Sequence, residues 1–370
     1  MTARLSFSGV THTYDALHAL QAFSLDVAAA EVVCLLGPSG CGKTTTLRLA
    51  AGVERPAAGR VAIDGKTVAG PGVFVPPEKR GVGLMFQDYA LFPHLTVLDN
   101  VKFGLHQHAK SRRTDIAWRA LERIGMARYA DVYPHVLSGG EQQRVALARA
   151  MAPGPRIMLM DEPFSGLDER LRDSVRDEAL SLIEHSGASA LLVTHDPEEA
   201  MRMADRIALL REGRLVQVGT PHDLYYHPVD VEAAAFFSDV NVCSGRVENG
   251  LVTCALGMFP APHFAEGAAI DVVLRPTAIE LSRGGIGVAG VVRRARMLGE
   301  ESLIEITVAG YDRPVQVRVR GTWLPTEGTP VRAAADPDRV LFFAADAGQG
   351  GDGAATKTPQ DLPLAAAPAI

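Results

Sequence analysis

The sequence predicts an α/β domain built on a parallel sheet and carrying a helical insertion, followed by an all-β, barrel-like domain. Three observations carry this expectation. Between residues 1 and 240, short apolar runs alternate with stretches of helical periodicity, the pattern of a parallel α/β sheet. Two of those runs, IMLM at 157–160 and ALLVT at 190–194, are apolar without alternation and lie between helical stretches, as strands buried on both faces do. Around residue 240 the helical periodicity stops, and short β-like runs separated by glycine and proline take over.

Taken in order, residues 3–36 carry LSFSGV, FSLDV and EVVCLL, which read as strands. The last run ends at Gly37 and opens a glycine-rich turn, followed by the helix-like TTTLRLAAGV. In VAIDGKTV an Asp64-Gly65 pair between apolar alternations signals a hairpin. Residues 88–136 mix turn residues with the helical periodicity of DIAWRALERIGMARYA, giving a helical subdomain over about 88–155. The β region, 241–345, contains SGRV, LVTC, AIDVVLRP, SLIEITV, PVQVRV and RVLFFA. The stretch 346–370, rich in glycine, alanine and proline, is expected to be disordered.

Composition bounds the function. At 370 residues, with 47% hydrophobic and 22% charged residues, the chain is an ordinary globular protein of more than one domain. A net charge of -6 argues against nucleic acid as the main partner. No apolar run approaches the ~18 residues that cross a bilayer. The start, MTARLSFSGV, lacks the apolar segment of a signal peptide, so a cytoplasmic location is expected, with docking on separate membrane subunits if the process is a membrane one. Cys34, Cys41, Cys243 and Cys254 follow no zinc spacing and are read as reduced thiols.

The chemistry is concentrated in a few motifs. Gly37-Pro38-Ser39-Gly40-Cys41-Gly42-Lys43-Thr44 matches GxxxxGK[ST] in full, between a strand and a helix. The glycines let backbone N–H groups turn inward around phosphates, and the helix start adds its positive dipole end. Lys43 is placed for the β- and γ-phosphates of ATP, the Thr44 hydroxyl for Mg2+, and Thr45 follows them in the nucleotide-binding set. This makes the first domain an α/β P-loop NTPase. The apolar IMLM leads into Asp161-Glu162-Pro163; an acid at the end of a buried strand in such a protein holds Mg2+, and Glu162 beside it is placed to polarise the attacking water.

A phosphate loop alone leaves kinases, GTPases and motors open. Leu137-Ser-Gly-Gly-Glu-Gln-Gln-Arg144, shortly before the IMLM strand, resembles the signature motif of ABC (ATP-binding cassette) ATPases. Physically, Ser138, Gly139, Gly140 and Glu141 open a helix and offer a hydroxyl, backbone donors and a dipole end, a second phosphate cradle. The alternative reading is a serine N-cap with nothing bound. In the family the second cradle serves the partner subunit's nucleotide, which implies a head-to-tail homodimer with two ATP between chains.

The resemblance assigns further positions. Gln87, in MFQDYALFPHLTV, resembles the Q-loop glutamine that senses Mg2+ and the γ-phosphate, and the stretch after it resembles the surface facing the membrane subunits. His195, closing ALLVTH, resembles the switch histidine on the γ-phosphate. Ser165-Gly-Leu-Asp168 resembles the D-loop, where Asp168 links the two sites; the family more often has alanine at the Gly166 position, a departure expected to loosen the loop. Tyr14 resembles the aromatic that stacks on adenine, although a tyrosine on a strand fits a core equally well. Cys41, if exposed beside a helix start, would have a lowered thiol pKa and react with alkylating agents unless ATP is bound. His106 and His108 sit two apart, a spacing that puts them on different helix faces, and are read as a solvated loop.

Residues 1–240 thus resemble a complete ABC nucleotide-binding domain. Residues 241–345, with Val273-Leu-Arg-Pro276 and Gly299-Glu-Glu-Ser-Leu-Ile-Glu305, resemble the OB-like, TOBE-type barrel of importer ATPases for sugars, polyamines, molybdate and ferric iron. The family usually has Glu where this chain has Thr277. Phe236-Phe-Ser-Asp-Val-Asn241 and the residues around Gln87 most resemble ferric iron importers. The resemblance implies an ATPase subunit on the cytoplasmic face of the inner membrane, with two transmembrane permease subunits, a separate substrate-binding protein and no nucleic acid. The alternative of a different class is a soluble ABC ATPase acting on nucleic acid or ribosomes; one cassette, no long heptad array and the appended β domain weigh against it.

Overall fold

A parallel sheet organises the N-terminal unit, and the apolar runs explain it. In the computed structural model, which describes residues 3–15, 17–166 and 169–345, the chain divides into two compact units between Asp239 and Val240. Strands β3 (Val32–Leu36), β7 (Val82–Met85), β8 (Ile157–Asp161), β9 (Ser189–Val193), β10 (Arg206–Arg211) and β11 (Arg214–Gly219) form one sheet in the order β11-β10-β3-β9-β8-β7. All neighbours are parallel except the edge pair β10–β11. Both faces are covered. Val33 and Leu35 enter one core while Val32, Cys34 and Leu36 enter the other, so the whole run is apolar rather than alternating.

Against the first face pack α1 (Lys43–Ala51) and an antiparallel sheet of β1 (Leu5–Tyr14), β2 (Leu17–Val27), β4 (Ala58–Ile63), β5 (Lys66–Gly70) and β6 (Val73–Phe74), in the order β2-β1-β4-β5-β6. The hairpin β4–β5 turns on Asp64 and Gly65, both at positive φ (49° and 73°), as its two-residue turn requires. The second face is covered by residues of α4 (Gly139–Met151), α5 (Glu169–Ser186), α6 (Pro197–Met203), α7 (Pro221–Tyr226) and α8 (Val231–Phe237). The expected helical insertion contains α2 (Val97–Phe103) and α3 (Lys110–Arg123) with α4. Its own core is a helical stripe: Val97 and Val101 on α2, Ala117 and Leu121 on α3, and Val145 and Ala148 on α4.

The C-terminal unit closes two five-stranded antiparallel sheets round one core, the barrel-like architecture expected. One holds β12 (Asn241–Glu248), β13 (Leu251–Cys254), β14 (Gly257–Pro260), β15 (Ala269–Leu274) and β21 (Val340–Ala344). The other holds β16 (Ile279–Ser282), β17 (Val288–Met297), β18 (Glu301–Val308), β19 (Val315–Arg320) and β20 (Pro330–Ala335). Sequence periodicity misses β17 because a register shift between Val292 and Arg294 breaks its alternation, and misses β20 because its second half is a run of three alanines. The stretch 346–370 lies outside the described residues.

Candidate functional site

The parallel sheet brings the motifs to one edge. Leu35 pairs with Val193 and Asp161 pairs with Val193, so β3, β8 and β9 end side by side. The loops leaving those ends carry Gly37, Glu162 and His195. Ligands of open α/β sheets bind at such an edge.

The glycine-rich turn 37–42 joins β3 to α1. Gly42, the N-cap of α1, has φ +104°, and a Cβ there would lie 2.3 Å from the Ala19 carbonyl oxygen, so no other residue fits. Pro38, Ser39 and Gly40 are exposed at the tip, while Lys43 and Thr45 are buried. The Lys43 ammonium donates to the carbonyls of Gly37 (2.7 Å) and Pro38 (2.9 Å), which holds the cation inside its own loop. The Thr44 hydroxyl donates to Asp161 Oδ1 at 3.1 Å. Burial raises the Asp161 pKa; the Thr44 hydrogen bond pulls it back and the neighbouring Glu162 charge adds to the rise. A carboxylate and a hydroxyl are hard oxygen donors. Among the described residues no three His, Cys, Asp or Glu groups converge, so a cation here would rest on sparse protein ligation, the manner in which Mg2+ binds beside substrate phosphates.

Glu162 sits at the centre of the edge. Its φ of 42° is rare for a non-glycine residue, and its N–H donates to Val193 O (2.9 Å), which fixes the turn after β8. Its carboxylate is bracketed: Gln87 Nε2 donates to Oε2 at 3.3 Å, and His195 Nδ1 lies 3.2 Å from Oε1. Three segments far apart in sequence therefore meet at one carboxylate. Ser165 Oγ donates to the Glu162 carbonyl (3.0 Å). Asp168 lies outside the described residues.

Tyr14 ends β1 with its ring partly exposed and its hydroxyl donating to Glu54. Glu54 also meets His12 Nε2 at 3.0 Å and Arg48 on α1 at 3.3 Å, and burial, then Glu54, raises the Tyr14 pKa. Sequence reading missed this cluster; the i,i+2 spacing of His12 and Tyr14 on one strand was the available signal. At the start of α4, Ser138 and Glu141 form a reciprocal capping box, Glu141 taking the Ser138 N–H at 2.9 Å and hydroxyl at 2.8 Å. That hydrogen bond from the Ser138 backbone lowers the Glu141 pKa. Ser138 to Gly140 are all solvent-accessible.

One expectation is corrected. Cys41 is not exposed; it is 3% accessible, and burial raises its thiol pKa despite Lys43 nearby, so the reactive thiolate is disfavoured. All four cysteines are free. His106 and His108 lie between α2 and α3, where Arg113 binds both of their carbonyls.

Comparison with known proteins places the chain in a family. The ABC transporter family model matches residues 20–165 and the TOBE domain model residues 272–343. The Fe(3+) ions import ATP-binding protein FbpC 2 of Rhodococcus jostii is 43% identical over 320 residues, covering 86% of this chain and 92% of that protein. The chain belongs to the ABC transporter ATP-binding proteins. The putrescine transport ATP-binding protein PotG of Escherichia coli is 38% identical over 366 residues, 93% of this chain and 96% of that one. The dimeric structure of MJ0796, a bacterial ABC transporter cassette, aligns with a TM-score of 0.54 and 32% identity, over 59% of this chain and 98% of that one. Like its family, the chain is an ATP-binding ATPase. Among the described residues no helix is long and apolar enough to cross a membrane.

Proposed function

We propose that the chain drives uptake of ferric iron as the ATPase subunit of an importer. It works as a homodimer on the cytoplasmic face of the membrane, with two permease subunits and a separate substrate-binding protein. The observation that carries the hydrolytic part is the Glu162 carboxylate bracketed by Gln87 and His195. The similarity to iron import ATP-binding proteins at 43% and 44% identity supports the cargo. A putrescine relative matched over 93% of this chain keeps polyamine as the second reading.

In this reading the 37–42 loop and Lys43 bind the phosphates of ATP, and Tyr14 packs on the adenine. Lys43 leaves its two loop carbonyls for the phosphates and neutralises charge that develops on them. Glu162 orients the attacking water, His195 holds the γ-phosphate, and Gln87 reports its presence to the helical insertion. Mg2+, held by Thr44, Asp161 and Gln87, supplies further charge neutralisation when bound. Ser138, Gly139, Gly140 and Glu141 face the nucleotide of the second copy, and Asp168 links the two sites. The dimeric form of a similar cassette supports this pairing.

The test is Glu162→Gln, which keeps shape and removes charge. The variant is expected to bind ATP and dimerise but turn over at least a hundredfold more slowly, and cells carrying it to lose uptake of labelled ferric iron while labelled putrescine uptake persists. Turnover near native sinks the role of Glu162. Intact iron uptake with lost putrescine uptake moves the cargo to polyamine.

A further inference from the structure

His195 is exposed at the site, and among the described residues its ring is held by Glu162. What fixes its backbone lies on the buried side of the loop. Thr194, 2% accessible, leaves β9 with its N–H on Leu35 O (3.2 Å). Its single hydroxyl does two things. The oxygen accepts the Asp196 N–H at 3.0 Å, bridging the chain across His195, and the proton goes to Glu199 Oε2 at 2.7 Å. Asp196 then caps α6 through the N–H groups of Glu198 (2.9 Å) and Glu199 (3.3 Å) and meets Arg176 of α5 at 3.4 Å.

We propose that Glu199 is a positioning residue for His195, acting through the Thr194 hydroxyl. The proposal rests on the reading of His195 given above. A hydroxyl has one proton. By accepting it, Glu199 aims a lone pair of the Thr194 oxygen at the Asp196 N–H and so sets the turn that carries the histidine. Glu199 is itself 3% accessible, and its other oxygen, Oε1, has no hydrogen-bond partner among the described residues, an arrangement without purpose if the residue served solubility or a surface ion pair. Without an acceptor there, the buried hydroxyl turns to another partner or stays unsatisfied, and the bridge across His195 is lost. A catalytic group displaced by a fraction of an ångström slows chemistry more than it weakens binding.

The full chain is assayed as T194V, T194S, E199L, E199Q and H195A for phosphate release at saturating ATP, for affinity with a fluorescent ATP analogue, and for melting temperature. T194V and E199L are expected to lower kcat about tenfold with ATP affinity within about twofold of native. T194S keeps the hydroxyl and E199Q keeps an acceptor, so both are expected to stay within about threefold of native kcat. Should E199L not fold, T194V, nearly isosteric with threonine, carries the test. H195A separates the two readings. Native turnover in H195A overturns the assignment of the histidine itself. An inactive H195A beside a T194V within twofold of native overturns the role of Glu199 alone. Parallel losses of kcat, affinity and melting temperature in T194V overturn it as well, since they mark general destabilisation.

Discussion

Arg80 is 5% accessible and has no carboxylate partner among the described residues. Its guanidinium instead donates to four backbone carbonyls: Val75 (2.7 Å), Leu49 (2.7 Å), Ala50 (2.9 Å) and Val68 (3.3 Å). Leu49 and Ala50 belong to the last turn of α1, so this side chain ties the far end of the phosphate-loop helix to β5. Burial lowers its pKa from 12.5 to about 10, which corresponds to a cost of about 3 kcal/mol for the buried charge. Arg80→Met strands three carbonyls, those of Leu49, Ala50 and Val75, because Val68 O keeps the Val75 N–H at 2.8 Å. At about 2 kcal/mol for each stranded group the gross loss is about 6 kcal/mol. Returning about 3 kcal/mol of charge burial leaves a net loss of about 3 kcal/mol. For a unit of this size that corresponds to about 6–12 °C in Tm. A calorimetric scan of the full chain, following the transition of the N-terminal unit, reads it directly. Arg80→Lys, with its donors on one nitrogen, is expected between the two. A shift under about 4 °C for Arg80→Met refutes the reasoning, because the carbonyls would then have found water or other partners.

Other consequences follow from single contacts. Gly42→Ala places a Cβ 2.3 Å from Ala19 O at φ +104°, so equilibrium ATP binding is expected to be lost; unchanged affinity would contradict the loop geometry. Burial raises the Glu199 pKa from 4.5 to about 7, against the opposing effects of Thr194, Arg176 and Arg172 and with the help of Asp196. Between those values the folded chain keeps a proton that the unfolded chain has released, so stability falls as pH rises through the window, by about 3 kcal/mol in all. Urea unfolding from pH 4.5 to 8 should show that slope in the native chain and a flatter one in Glu199→Gln; equal slopes would assign the titration elsewhere. Cys41 in the folded chain is expected to react with maleimide at least tenfold more slowly than in urea, with ATPase activity kept. Rapid inactivation that ATP prevents would restore the exposed thiol.

Much of the site is legible in the sequence because its parts are contiguous. The 37–44 loop and the 137–144 segment are local structures whose glycines, serine and following helices specify them within eight residues, and a doubly apolar strand announces Asp161. The barrel-like unit was legible in outline, but β17 and β20 were not, since a register shift and an alanine run hide the period of two. Tertiary structure decided the rest. Glu162, Gln87 and His195 meet only because the sheet order puts β7, β8 and β9 side by side. Cys41 is buried because its side chain joins the apolar core that β1, β2, β3 and α1 share, which no local spacing encodes. The same holds for Arg80 and for the Thr194–Glu199 bond: a charged or acidic residue in a polar stretch looks solvated in the sequence. Its environment is set by which elements pack around it, and burial then decides both its charge and what it can hold in place.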